Sequence, residues 1–91
     1  MTCNYQHIEE VSLGLLELLQ SVFTSSEKIE VHEFIDAGEY GLALETLVDI
    51  VIEEDKQISS EAMKLVYKLA EMMEWDKEAF EEKLHSHVIN G

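Results

Sequence analysis

The chain has 91 residues, enough for one small domain and little room for a deep catalytic cleft. Acids outnumber lysines and arginines 20 to 6, a formal net charge of −14, which disfavours direct binding to a phosphate backbone or an anionic membrane, since both rely on cationic side chains. The 46% of hydrophobic residues form no bilayer-length run, there is no proline, and a single cysteine permits no intrachain disulfide.

The first ten residues, MTCNYQHIEE, lack the basic start and apolar run of a secretory signal, so a cytoplasmic protein is expected. Cys3 falls in a terminus expected to fray and is a poor nucleophile. From about Tyr5 to Phe23, Ile8, Val11, Leu15, Leu18 and Val22 recur every three or four residues, while Glu9, Glu10, Glu17 and Gln20 fall largely elsewhere. This predicts an amphipathic first helix. Leu13, Leu16 and Leu19 widen its apolar surface, which calls for neighbours on two sides or a partly exposed apolar edge.

Thr24 and Glu27 have the spacing of a capping box, which starts a second helix anchored by Ile29, Phe34 and Ile35. Gly38 is placed to end that helix in the left-handed conformation. A third helix is predicted from about Glu39 to Asp55, with Leu44, Leu47, Val48, Val51 and Ile52 inward. Gly41 leaves its first turn thin enough for close backbone packing. Ser59 caps a fourth helix, with Ile58 and Met63 at the positions of a hydrophobic staple and Leu65, Val66, Leu69, Met72 and Met73 on the apolar side. Asp76 caps a fifth, where Trp75 and Phe80 repeat the staple spacing and Leu84 continues the buried face. The expected fold is all-α, a small single-domain bundle of about five helices over residues 1–91. Helices two with three and four with five would form hairpins against the first.

Catalytic chemistry is hard to find in this pattern. The glycines of DAGEYGLALE match neither dinucleotide nor phosphate-loop spacing, and no GxS-like nucleophile or HExxH pair occurs. Nearly all carboxylates fall on predicted solvent faces, unlike a catalytic pair held in contrasting environments. Glu81 and His85 share one helical face, yet nothing nominates a third metal ligand, and no calcium-loop pattern occurs. No enzyme activity, cofactor or metal is therefore expected.

The position of the acids is more informative than their number. Glu27, Glu39, Glu61, Asp76 and Glu78 fall at helix starts, where capping or the helix dipole favours a carboxylate. Glu53, Glu54 and Asp55 instead crowd the end of the third helix, and Glu45, Asp49 and Glu53 repeat at i, i+4 along it. Together these placements cost on the order of 1–2 kcal/mol, with Lys56 alone nearby to offset it, which suggests a partner. A screened and solvated charge run is the competing account.

The stretch from VHEFIDAGEYGLALETLVDIVIEED through ISSEAMKLVYKLAEMMEWD, about residues 29–80, resembles the MafI-like immunity proteins of bacterial polymorphic toxin systems. The resemblance rests on Phe34, the Gly38-Glu39-Tyr40 turn, Ala43 with Leu44, the acidic helix end, the Ile58-Ser59 restart and Trp75. It implies a small cytosolic antidote that binds a cognate toxin domain and blocks its active site. Many such toxins are nucleases with basic clefts, which an acidic protein can occupy by electrostatic complementarity. The candidate partner-binding set is Asp36, Glu39, Tyr40, Glu45, Asp49, Glu53, Glu54 and Asp55. Two other readings stay open: a regulatory helical module that homodimerises through the surplus leucines of helix one, and a nucleic-acid mimic that binds many unrelated nucleic-acid-binding proteins.

Overall fold

Five α-helices dominate a computed structural model that describes residues 5–89; the reading of Cys3 as an inert terminal thiol falls outside the described residues. The helices are α1 (Tyr5–Leu18), α2 (Ser25–Asp36), α3 (Tyr40–Glu53), α4 (Ser60–Met72) and α5 (Lys77–Leu84). The all-α bundle expected from the periodicity is the fold of the chain. One hydrophobic cluster draws on every helix, from Ile8, Leu15 and Leu19 through Ile35, Leu47 and Val51 to Val66, Leu69 and Leu84. Helix α1 is central, touching α2, α3 and α4; α2 packs most extensively on α3, and α5 rests on α3 and α4.

The first helix is shorter than its pattern suggested. Regular structure stops at Leu18, and the chain continues in turns to Phe23, whose N–H donates to the Leu19 carbonyl at 2.8 Å. The buried face is Ile8, Val11, Ser12, Leu15, Leu16 and Leu19, while Leu18 and Val22, expected inward, are 42% and 37% exposed. Both stripes satisfy a 3.6-residue period; ending the helix at Leu18 lets Leu19 and Phe23 turn inward instead.

The caps formed as their spacing required. Thr24 Oγ1 accepts from the Glu27 N–H and Glu27 Oε1 from the Thr24 N–H, completing the capping box of α2. Ser59 accepts from the Ala62 N–H, and Asp76 from the Glu78 N–H. Glu39 occupies the cap position of α3 but makes no side-chain cap bond, so its acid is not explained as a cap. In α2 the core anchors are Val31 and Ile35; Ile29 is 58% exposed, because two residues from Val31 is about 200° around the helix. Ile52 likewise sits at the rim of α3 rather than inside it.

Three helices end in the same way. After α2, α3 and α4, a residue with positive φ is followed by an N–H that donates five residues back: Glu39 to Phe34 (2.8 Å), Lys56 to Val51 (2.9 Å) and Trp75 to Ala70 (2.7 Å). These are Schellman caps, and their left-handed residues are Gly38 (φ 77°), Asp55 (φ 51°) and Glu74 (φ 59°). Glycine takes that conformation freely; a Cβ makes it unfavourable by about 1–2 kcal/mol. Past α5, a single 3-10 turn (His85–His87) leads into β2 (Val88–Ile89), which pairs in parallel with β1 (Ile58–Ser59). A two-residue bridge is too short to leave an alternating signature, so nothing in the periodicity announces it.

Candidate functional site

Between Ile29 and Asp55 the sequence contains nine acidic residues and no lysine or arginine. This span covers most of α2, the turn and all of α3, and ends one residue before Lys56. That lysine does not answer the acids. Its Nζ donates to the Val22 carbonyl at 2.7 Å, lies 3.1 Å from Glu27 Oε1, and stands 5.6 Å from the centroid of the Phe23 ring. Both partners of the Lys56–Glu27 pair are largely shielded, with side chains 14% and 18% exposed. The Thr24 N–H holds the Glu27 carboxyl below the ordinary carboxylate range, and the Lys56 ammonium adds to this, against a desolvation cost. Lys56 therefore closes the bottom of the bundle; sequence spacing, which sees it only as a neighbour of Asp55, could not show this.

The acids of α3 consequently stand alone. Glu45, Asp49 and Glu53 fall one turn apart along its exposed side, and Glu54 follows as the cap residue. None of these four has an ion-pair partner within 4.0 Å among the described residues. Asp55 occupies the left-handed cap position with its side chain 94% exposed, 3.7 Å from His87 Nδ1. His87 is itself held by the Lys56 carbonyl, 2.8 Å from Nδ1. Asp55 thus has a local structural task, and part of the acidic helix end is accounted for by the cap.

The remaining candidates sit at the other end of α3, about 20 Å away along the helix. Asp36 closes α2 with Oδ2 3.1 Å from His32 Nδ1, both side chains well exposed. Glu39 is exposed at the turn. Tyr40 is half-buried against the core, and its ring stacks on Tyr5 with centroids 6.4 Å apart. The eight candidates do not gather at one point: they form two ends and a stripe between them.

The middle of the stripe borders a groove. Glu45, Val48 and Asp49 of α3 face Trp75, Phe80 and Lys83 across a cavity of ≈ 360 Å³. Trp75 and Phe80 are the staple pair of α5, stacked at 5.9 Å with their planes 11° apart. Gly41 admits the indole to the α3 surface, since a Cβ there would lie 3.0 Å from Trp75 Cη2 and Cζ2. The close approach expected at Gly41 is real, but its partner is a side chain rather than backbone. Sequence reasoning placed Trp75 and Phe80 correctly as a staple and missed them, with Lys83, as a groove wall; the available signal was a glycine in a helix with one large aromatic later in the chain.

A second groove, ≈ 350 Å³, runs between α1 and α2 over Leu13, Leu16 and Ile29, rimmed by Glu17, Gln20, Lys28 and His32. Among the described residues, no group of three or more His, Cys, Asp or Glu is arranged to hold a metal ion. His85 of the Glu81/His85 pair turns Nδ1 to the Glu82 carbonyl at 3.3 Å. Burial raises the Tyr67 phenol above its ordinary range, and the Glu81 carboxylate beside it adds to the shift. No described helix is long and apolar enough to cross a membrane. No protein-family model, curated protein or solved structure matches the chain.

Proposed function

We propose that this chain is an immunity-type protein of the MafI-like kind: a cytoplasmic, non-enzymatic inhibitor that binds a cognate toxin domain with a basic surface, above all a nuclease. It neutralises that domain by occupying the cleft that would otherwise hold nucleic acid. The observation that carries the reading is the lysine-free acidic span from α2 to the end of α3, whose carboxylates on α3 are left unpaired while the adjacent Lys56 is used inside the bundle. Placing Glu53 and Glu54 at a helix C-terminus opposes the dipole, a cost that a basic partner would offset.

A second reading has its own support. The groove over Leu13, Leu16 and Ile29 exposes apolar surface that a second copy of the chain could cover, making a homodimeric regulatory module. A nucleic-acid mimic would instead bind many unrelated nucleic-acid-binding proteins.

The deciding experiment is to read the genes that flank this one and co-express the chain with any toxin domain they encode. Growth should be rescued by this chain and not by an immunity protein of an unrelated system, and sedimentation should show a monomer alone and a tight complex with the toxin. Self-association without any toxin requirement would favour the dimer module. Turnover of a substrate by the pure protein would defeat the inhibitor reading.

A further inference from the structure

The groove between α3 and α5 combines features that negative charge alone does not require. Glu45 and Asp49 stand one turn apart on one wall, both exposed, and neither lies within 4.0 Å of a cationic side chain among the described residues, Lys83 included. Trp75, partly exposed, lines the same groove and stacks on the nearly parallel ring of the buried Phe80, which lines it too. Two carboxylates against the single ammonium of Lys83 leave a formal charge of −1 in the groove (−2 + 1). Its volume of ≈ 360 Å³ is at the small end of ligand clefts, which span about 300–1,000 Å³.

We infer that this groove is a socket for one arginine side chain presented by the protein partner. A guanidinium is flat, so it can lie along an aromatic face and still direct its N–H fork at carboxylates spaced i, i+4. A lysine ammonium would balance the charge but is more strongly hydrated and gains less from the ring. An anion would meet Glu45 and Asp49 directly, and an apolar side chain would strip water from both without replacing it. The inference rests on the acidic face of α3 being the binding surface and narrows it: Glu45 and Asp49 grip the partner, while Glu53, Glu54 and Asp55 contribute longer-range attraction.

Trp75 is the only tryptophan, so its emission reports on the socket directly. The full chain is titrated with Nα-acetyl-arginine amide, with the lysine analogue, and with the citrulline analogue, which keeps the shape and removes the charge. The arginine compound should change Trp75 emission saturably in the millimolar range, the lysine compound should bind at least ~3-fold more weakly, and citrulline should not bind. Glu45→Gln with Asp49→Asn should weaken arginine binding on the order of 10-fold or more, while Glu30→Gln with Glu33→Gln, an equal charge change on exposed positions of α2, should preserve it. Circular dichroism checks that both doubly substituted proteins keep the helix content of the native chain, and all four positions are exposed. Equal weakening by both pairs, equal affinity for lysine, binding of citrulline, or absence of saturation overturns the socket. The titration contains no toxin, so its failure leaves toxin neutralisation standing, and a failed rescue leaves a positive titration standing.

Discussion

The indole of Trp75 lies against Gly41 so closely that a β-carbon at Gly41 would stand 3.0 Å from both Cη2 and Cζ2. The same two residues fix where the groove wall stands, since Trp75 also stacks on Phe80. Gly41→Ala should therefore displace the indole and change its near-ultraviolet dichroism and emission. Gly14, also helical, has nothing within 4 Å of a built Cβ. Gly14→Ala should stabilise the fold by about 0.5–1 kcal/mol in urea denaturation and leave the tryptophan spectrum unchanged. An unchanged spectrum in Gly41→Ala would show that the contact does not position Trp75.

The two non-glycine Schellman caps allow a paired test. Glu74→Gly and Asp55→Gly each remove left-handed strain and should each stabilise the protein by roughly 1 kcal/mol. Toxin binding should separate them: Asp55→Gly loses a carboxylate from the proposed interface, and Glu74→Gly does not. Equal loss of affinity in both would remove Asp55 from the interface.

Acid should selectively loosen the bottom of the bundle. The folded pKa of Glu27 is lowered from its ordinary 4.5, so its contribution is fully present above that value and is lost as pH falls through the lower folded value. Glu27→Gln should thus be less stable than wild type at pH 7 and converge with it in acid. A gap that widens as pH falls would contradict the sign. Lys56→Met, at any pH, should lose about 1–2 kcal/mol through the Val22 carbonyl bond and the Phe23 ring contact.

Charge removal from α3 should uncouple stability from binding. Replacing Asp49, Glu53, Glu54 and Asp55 by Asn or Gln should leave the free protein as stable or slightly more so, since these acids oppose the dipole. Toxin association should slow and lose its salt sensitivity. Substituting Glu78, Glu81 and Glu82 of α5 removes nearly as much charge from a different helix. Equal weakening by both sets would mean that net charge alone governs binding.

The sequence was most legible where the physics is local. Thr24, Ser59 and Asp76 cap because an oxygen two or three residues before a free N–H needs no tertiary partner. Gly38 ends α2 for a similarly local reason. Periodicity located five helices and placed Ile8, Val11 and Leu15 inward, but misplaced Leu18 and Val22, because a leucine-rich segment offers two inward stripes and the choice is made by what packs against it. The acidic stripe of α3 could be read from i, i+4 spacing, whereas the groove beside it joins Glu45 and Asp49 to Trp75, some 30 residues on. The role of Lys56 was hidden for the same reason: its partners, Val22 and His87, are 34 and 31 residues away.

Those two separations also order events in time. Contacts between sequence neighbours, such as α2 with α3, close short loops and can form early, whereas the Lys56 carbonyl meets His87, and β1 meets β2, only after α4 and α5 have been laid down between them. The clasp has few backbone pairs and an exposed Ile89 at its outer end, so it is poised to open without the rest of the bundle. Amide exchange at residues 85–89 should accordingly run ahead of exchange in α3 and α4, so that the chain's final strand is released while the helices behind it stay closed.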